Sequence, residues 1–238
     1  MTEKNIQTSS LTGAQALRIA AARAAYSAGI AVMPLLGCSK KPGRPRWQMA
    51  EFPDSAVTAE WARIANIGFR TGSVSKGLVV IDCDLDADIT CLGELPDTVT
   101  VFTGRTDAVT GQRGMHLYFR TSCDLKNSVS KLCDFIDIRG DKGYVVAPGS
   151  THPETGLQYE FKAGFGLGEI EIAELPQHLL DRIESKSKAE PVTKHDQALP
   201  WIEQVPLELR IEAGRIVVAA ATPAVTGKGG HKATFKVA

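Results

Sequence analysis

From residue 67 onward the chain carries short runs in which apolar and polar residues alternate, and Gly, Asp and Ser-rich turns separate the runs. Successive side chains of a β-strand point to opposite faces, so each run predicts a strand with one buried face. Together they predict a mostly antiparallel sheet. The seven runs are IGFRTG, GLVVIDCD, TVTVFTG, GMHLYFR, FIDIRG, GYVVAPGS and LQYEFK.

Helical patterns stand before and after this sheet region. Residues 11–29 are Ala-rich, with Thr12 as a predicted N-cap and Gly29 as a predicted C-terminal stop, and a strand is predicted at 30–36. Further helices are predicted at about 58–64 and within 173–185. Strands grouped between helices indicate an α+β fold and not a βαβ alternation.

The composition, 43% hydrophobic and 23% charged, is that of an ordinary globular protein. Lys+Arg and Asp+Glu both number 27, so binding to a polyanion must depend on local patches. The polar start and the lack of a long apolar run predict a cytoplasmic protein without membrane association. Five cysteines without CxxC pairs predict reduced thiols. A zinc site of His116, Cys123 and Cys133 is an alternative, although its spacing fits no common zinc finger.

The chain is predicted to contain a catalytic domain at 1–185, a polar, Pro-containing linker at 186–200 and the start of a helical region at 201–238. Because the last stretch ends in apparently helical sequence without a cap, we expect the natural chain to continue past Ala238. Its GKGGHK is not a phosphate-binding P-loop, since no GxxxxGK[ST] frame fits.

The run VVIDCDLDAD, residues 79–88, places an aspartate at every second position after three apolar residues. On a strand, Asp82 and Asp84 share one face, where carboxylates raise each other's pKa unless a cation compensates. The EF-hand pattern fails, because the glycine and the final glutamate of its loop are misplaced. Asp86 and Asp88 are expected in a solvated acidic turn.

Two later strands have the same design. His116 lies in the middle of the polar face of GMHLYFR, and Asp137 lies in the same place in FIDIRG. If the three strands are neighbours, Asp82, Asp84 and Asp137 converge beside His116. Three carboxylates suit two Mg²⁺ or Mn²⁺ ions roughly 3.5–4 Å apart, as in nucleotidyl transfer. His116, Arg139 and Arg113 are then candidate donors to the nucleotide phosphates.

The segments VVIDCD, TGRTDAVTGQRGMHLYFR and IDIRGDKGYVVAPGS resemble the prim-pol domain of the archaeo-eukaryotic primase superfamily. The motifs of that family are an apolar strand ending in DxD, a G-x-H strand and an apolar-Asp strand. They match Asp82/Asp84, Gly114-Met115-His116 and Ile136-Asp137, in that order. The resemblance covers about residues 25–165. It departs from the family in Pro148-Gly149-Ser150, where many relatives have Pro-Pro-Ser, and in a longer segment before the histidine strand.

The resemblance implies an RRM-like antiparallel or mixed sheet with an N-terminal helix–strand module packed on it and an active cleft between them. It implies a template-dependent DNA primase/polymerase that uses two Mg²⁺ or Mn²⁺ ions. Its partners would be a single-stranded DNA template, a primer, and dNTPs or NTPs. It would belong to a phage, a plasmid or an integrated element, with a helicase region in the same or a partner chain.

The resemblance also implies roles for further residues. Arg70 and Gly72 would border the incoming nucleotide. The basic loop from Lys40 to Arg46 is a candidate for binding template or primer phosphates, with a solvated loop as the alternative; its cations are Lys40, Lys41, Arg44 and Arg46. Trp47 and Phe69 are candidates for stacking on a base, although core packing is the more frequent role of such residues.

Two other classes of function remain open. A divalent-metal-dependent phosphatase or nuclease could use the same carboxylates, although Asp86 stands where a haloacid-dehalogenase-type phosphatase has Thr or Val. A non-catalytic nucleic-acid-binding module with a degenerate site is the third interpretation. It is disfavoured because all three acidic positions and the histidine are present.

Overall fold

The structure is a computed structural model that describes residues 11–128 and 132–188. The predicted linker at 186–200 and the C-terminal region at 201–238 lie outside these residues, except that the last helix continues to Lys188. In chain order the elements are α1 (Gly13–Ser27), β1 (Val32–Pro34), α2 (Ser55–Ile64), β2 (Ile67–Arg70), β3 (Leu78–Cys83), β4 (Thr100–Thr106), β5 (Arg113–Arg120), β6 (Ile136–Arg139), β7 (Tyr144–Val146), β8 (Glu160–Phe161) and α3 (Gln177–Lys188).

The strands form two antiparallel sheets. One has three strands in the order β1-β2-β7, and the other has five in the order β6-β3-β5-β4-β8. Each of the seven predicted runs contains a strand or most of one, and the α+β class is confirmed. The RRM-like arrangement and the active cleft stay predictions. No helix in the described part of the chain combines the length and the apolarity of a membrane span.

The helix boundaries follow from capping residues. Thr12 caps α1 as predicted, and Gln15 completes a capping box by bonding back to the Thr12 amide. Helix α2 begins at Ser55, three residues before the predicted start, because Asp54 accepts a hydrogen bond from the amide of Ala56 at 2.7 Å.

The five-stranded sheet buries both of its faces, and this places the polar residues of β3. Ile81 belongs to the buried cluster that includes Leu179 of α3, whereas Val80 belongs to the cluster that includes Phe69 of the three-stranded sheet. Asp82 is two residues after Val80 and therefore lies on the same face as Val80. The face that carries the carboxylate is the one turned toward the three-stranded sheet.

Gly149 stands where the middle proline of the Pro-Pro-Ser pattern was expected, and the replacement has a steric cause. Its φ is 77°, which proline cannot adopt, and a Cβ there would lie 2.5 Å from the backbone nitrogen of Arg18. The buried Arg18 side chain also donates hydrogen bonds to the carbonyls of Ala62 and Gly149. Glycine thus lets α1 pack directly on this turn.

The prediction of five reduced thiols is wrong for one pair. Cys91, after β3, and Cys133, before β6, form a disulfide with their Cα atoms 6.6 Å apart. The antiparallel pairing of β3 with β6 brings these two segments together, although 42 positions separate them in sequence. With Cys133 in a disulfide, the zinc site of His116, Cys123 and Cys133 is not formed. Cys38, Cys83 and Cys123 are free thiols.

Candidate active site

Three adjacent strands of the five-stranded sheet carry a row of polar side chains. Asp82 of β3 lies directly opposite His116 of β5 on one side and directly opposite Asp137 of β6 on the other. Side chains at opposed positions of antiparallel strands have Cβ atoms about 4.5–5.5 Å apart. The prediction that the D-x-D, histidine and aspartate strands are neighbours is therefore confirmed.

The Asp82 carboxylate is held from both sides. Its Oδ1 lies 3.4 Å from Nε2 of His116, and its Oδ2 accepts hydrogen bonds from Nε and Nη2 of Arg139 at 3.2 and 3.0 Å. Nη2 of Arg139 also donates to Asp137 at 2.8 Å, so the guanidinium joins the two acids. Burial on its own raises the pKa of Asp82, but His116 and Arg139 outweigh it and hold this pKa well below its usual value. Asp82 is therefore ionised at neutral pH.

Asp84 lies just beyond the end of β3 and is exposed to solvent. Its backbone amide donates to the carbonyl of Phe135 at 2.9 Å, which fixes the end of β3 to the segment before β6. Its carboxylate lies 3.4 Å from Nη1 of Arg105, and both side chains are about half exposed, at 51% and 52%. Burial and the charge of Asp82 raise the pKa of Asp84. The two acids of the D-x-D motif thus have opposite pKa shifts.

A cavity of about 280 Å³ opens beside this row. The five-stranded sheet supplies the acids, and β7 of the three-stranded sheet supplies Tyr144, Val145 and Val146. The predicted ligand Asp137 is not among the lining residues; it is joined to the wall through its hydrogen bond with Arg139. The full set of lining residues is Lys40, Asp82, Asp84, Thr103, Arg105, His116, Arg139, Tyr144, Val145, Val146 and Tyr159.

Two of the predicted nucleotide-binding residues lie elsewhere. The buried guanidinium of Arg70 donates to backbone carbonyls of the loop at 48–51, the shortest bond being 2.7 Å to Ala50. Gly72 lines a different cavity, and a Cβ at this position would lie 2.4 Å from the Cα of Asp141. Arg70 therefore orders a loop, and Gly72 permits a close approach of two backbone segments.

Arg113 is also absent from the cavity wall. It lies an odd number of residues before His116, so strand alternation directs it to the other face of β5. There it pairs with Glu160 at 2.9 Å and donates to the carbonyls of Thr103 and Gln158. Of the five residues predicted to bind the nucleotide, His116 and Arg139 line the cavity and the other three do not.

The basic loop divides into two parts. Lys40 is half-buried and lines the cavity, and burial followed by the charge of Arg105 lowers its pKa. Lys41, Arg44 and Arg46 are exposed, and the salt bridges found within residues 11–128 and 132–188 involve none of them. Three free cations are thus available to a polyanion.

Of the two predicted stacking residues, Phe69 is fully buried and belongs to the core. Trp47 is half-buried and packs edge-on against Tyr144, with ring centroids 4.9 Å apart. Stacking on a base is therefore wrong for Phe69 and remains open for Trp47.

Three cavity residues had no role assigned from sequence: Thr103 and Tyr159 gave no signal, and Arg105 stayed unassigned because the segment before the histidine strand is longer than in the family. Arg105 was visible as a cation near the end of a predicted strand, but pairing partners cannot be read from one strand alone. Tyr159 is buried and its ring lies 5.8 Å from the ring of His116. A single tyrosine in an alternating run gives no signal of that contact.

The donor types suit a hard cation, because Asp82 and Asp84 at this wall and the adjoining Asp137 offer only oxygen ligands. In the described ranges, however, no three His, Cys, Asp or Glu side chains are drawn together as a metal ion would require. The guanidinium of Arg139 instead supplies positive charge between Asp82 and Asp137. Carboxylate oxygens are the ligand type that Mg²⁺ and Mn²⁺ prefer, so the donor chemistry, but not the grouping of these side chains, matches such an ion.

The comparison with known families agrees with these motifs. Residues 21–178 match Prim-Pol, the N-terminal domain of bifunctional DNA primase/polymerases. No curated protein matches the chain. The matched residues make up well over half of the chain and include every residue that lines the cavity. The chain therefore belongs to the Prim-Pol family of bifunctional DNA primase/polymerase N-terminal domains.

Proposed function

We propose that this chain is a template-dependent DNA primase/polymerase that adds nucleotides to a 3′-hydroxyl by a two-metal mechanism. Membership of the Prim-Pol family indicates primase/polymerase activity in general. The observation that carries the proposal is the row Asp137–Asp82–His116 on adjacent strands, with Asp84 at the mouth of the same cavity. The proposed substrates are dNTPs or NTPs and a primed single-stranded DNA template.

Asp82, Asp84 and Asp137 are the proposed ligands of Mg²⁺ or Mn²⁺. When bound, such ions activate the attacking hydroxyl and stabilise the leaving pyrophosphate. Arg139 neutralises Asp82 and Asp137 in the ligand-free protein, and its release from them frees a guanidinium for a phosphate. His116 donates to the nucleotide phosphates from the same wall.

Two cations not assigned to the nucleotide from sequence complete the proposed phosphate site. Arg105 and Lys40 both line the cavity, and their positive charges lower the electrostatic cost of placing a triphosphate beside the carboxylates. The pairing of Arg105 with Asp84 is half-exposed, so exchanging it for a phosphate oxygen costs little. The exposed cations Lys41, Arg44 and Arg46 are the proposed contacts to the DNA backbone.

Further parts of the proposal concern the context of the enzyme. We place it in the cytoplasm, in the replication apparatus of a phage, plasmid or integrated element. A helicase region in the same or a partner chain would supply unwound template.

Primer extension tests this function. Wild-type protein with a primer–template, dNTPs and Mn²⁺ or Mg²⁺ should extend the primer with template-directed nucleotides. Asp82→Asn, Asp84→Asn and Asp137→Asn should abolish extension without unfolding the protein, and His116→Ala should raise the nucleotide KM. The matched control is Asp86→Asn, because this acid belongs to the same run but lies in the turn after β3, outside both the cavity wall and the row Asp137–Asp82–His116.

Each alternative has its own outcome. Extension at the wild-type rate by any of the three asparagine variants would disprove the metal-ligand assignment. Phosphate release or DNA cleavage without dNTPs would indicate a phosphatase or nuclease. DNA binding that is unchanged in the variants, without any incorporation, would indicate a non-catalytic module.

A further inference from the structure

A second cavity, of about 470 Å³, lies between β1, α2 and the loop at 44–53. Its volume is within the range of roughly 300–1,000 Å³ that is typical of small-ligand sites. Three aromatic rings line it, from Trp47, Phe52 and Trp61, together with the guanidinium groups of Arg44 and Arg70. Planar rings beside guanidinium groups are the side chains that bind unstacked nucleobases.

The cavity is formed before any ligand arrives. Arg70, which is 4% exposed, donates hydrogen bonds to the carbonyls of Gln48, Ala50 and Glu51. These bonds hold the loop that carries Trp47 against β2. A ligand therefore does not need to order the loop, which lowers the entropic cost of binding.

The charge at this cavity favours an anion. Arg44 is exposed, whereas Arg70 is buried. Burial is the main cause that lowers the pKa of Arg70, and the positive charge of Arg44 lowers it further. Neither arginine takes part in the salt bridges found among the described residues. Glu51 lines the cavity as well, but it is exposed and Lys41 and Arg46 lie nearby in sequence. A phosphate bound by the exposed Arg44 would also be attracted by the buried positive charge of Arg70.

Three exposed apolar side chains line the cavity beside its cations. Met49 is 78% exposed, Phe52 is 42% exposed and Val57 is 45% exposed. Exposed apolar side chains that surround a formed cavity mark a binding surface. Here they sit among cations, which suits a ligand with flat apolar faces and a charged backbone.

The second cavity adjoins the candidate active site. Trp47 lines the second cavity and packs edge-on against Tyr144, which lines the active-site cavity. The hydroxyl of Tyr144 donates to the carbonyl of Lys40 at 2.8 Å, so the basic loop is fastened to this shared wall. The two cavities therefore share a wall at the contact between Trp47 and Tyr144.

We propose that the second cavity binds an unpaired base of the single-stranded template, with Arg44 contacting the adjoining phosphate. This inference rests on the proposed function, since it names where the template strand runs. Binding can nevertheless be measured without metal ions, nucleotides or synthesis, so the two can fail separately.

The first test is binding of a labelled single-stranded oligonucleotide to the full chain, followed by anisotropy and by tryptophan fluorescence. Two of the three tryptophans, Trp47 and Trp61, line the cavity, so a stacked base should quench them. Phe52→Ala and Met49→Ala should each weaken binding by about fivefold or more and reduce the quenching. The matched control is Ile64→Ala, which removes an exposed apolar side chain of α2 outside the cavity wall.

Two further arms locate the base and the phosphate. A single abasic nucleotide is placed at each position of the template overhang in turn. At one position it should weaken binding to the wild type, and at that same position it should not change the affinity of Phe52→Ala. Arg44→Ala should reduce the salt dependence of binding by about one phosphate contact.

Three results would overturn the inference. If Phe52→Ala and Met49→Ala show the same DNA affinity and tryptophan quenching as Ile64→Ala, the second cavity does not bind the template. Primer extension by the wild type would in that case still support the proposed function. Equal quenching by a base-free polyphosphate would show that the site recognises charge alone. Wild-type protein that binds no single-stranded DNA would overturn both this inference and the proposed function.

Discussion

Replacing Arg139 with alanine removes the guanidinium that joins Asp82 and Asp137 across two strands. The two carboxylates are about one-fifth exposed, at 20% and 19%, and the Arg139 side chain is 33% exposed. Hydrogen bonds to charged groups contribute about 1.5–3 kcal/mol each, and partial exposure reduces that contribution. We therefore expect Arg139→Ala to lower the free energy of unfolding by about 2 kcal/mol. In a domain of this size that lowers Tm by about 4–8 °C.

The assay is thermal unfolding in EDTA and again with Mn²⁺. Mn²⁺ should stabilise Arg139→Ala more than it stabilises the wild type, because the variant offers the ion two acids that Arg139 no longer occupies. The matched control is Arg105→Ala, whose half-exposed pairing with Asp84 should contribute less than about 1 kcal/mol. The reasoning is refuted if Arg139→Ala melts like the wild type in EDTA, or if Mn²⁺ raises the Tm of both proteins equally.

Three further predictions concern stability and nucleotide binding. Burial lowers the pKa of His152, so below about pH 6.5 the unfolded chain binds more protons than the folded chain. The free energy of unfolding of the wild type should therefore fall on acidification below that pH. Chemical denaturation should show a smaller fall for His152→Gln. A thiol reductant should lower the free energy of unfolding by about 2–4 kcal/mol by opening the Cys91–Cys133 disulfide, and the double serine variant should show no response to the reductant. In steady-state kinetics, Arg105→Ala should raise the nucleotide KM about tenfold or more, whereas Arg113→Ala, which removes a pairing with Glu160, should leave it within about threefold; equal effects would contradict the placement of the phosphate site.

Strand alternation was sufficient to predict the order of elements and the carboxylate-bearing face. VVIDCD, GMHLYFR and FIDIRG each have an apolar face that requires a core, and burying those faces in one sheet puts Asp82, His116 and Asp137 on its other face, where the adjacency of β6, β3 and β5 brings them together. Their polar faces must then coincide, because the side-chain period of a strand is two.

The arginines were harder to assign, because their long side chains bind wherever carbonyls or acids remain unpaired. Arg70 follows a strand and resembles a ligand-binding cation in sequence, yet its guanidinium is used up by three loop carbonyls. Arg105 reaches the cavity because β4 flanks β5 in the sheet, and strand order is not visible in one sequence. The disulfide joins Cys91 and Cys133 in the segments after β3 and before β6, and the spacing of these cysteines in the sequence gives no sign that they meet.

The binding of Mn²⁺ in the presence of a non-hydrolysable dNTP tests the central claim most directly. Electron paramagnetic resonance counts the bound ions without requiring DNA or synthesis. Wild-type protein should bind two Mn²⁺ per chain in the nucleotide complex, and Asp82→Asn or Asp137→Asn should lose at least one of them, while Asp86→Asn keeps both. An unchanged Mn²⁺ stoichiometry in Asp82→Asn and Asp137→Asn would contradict the claim that these two strands together form the metal site.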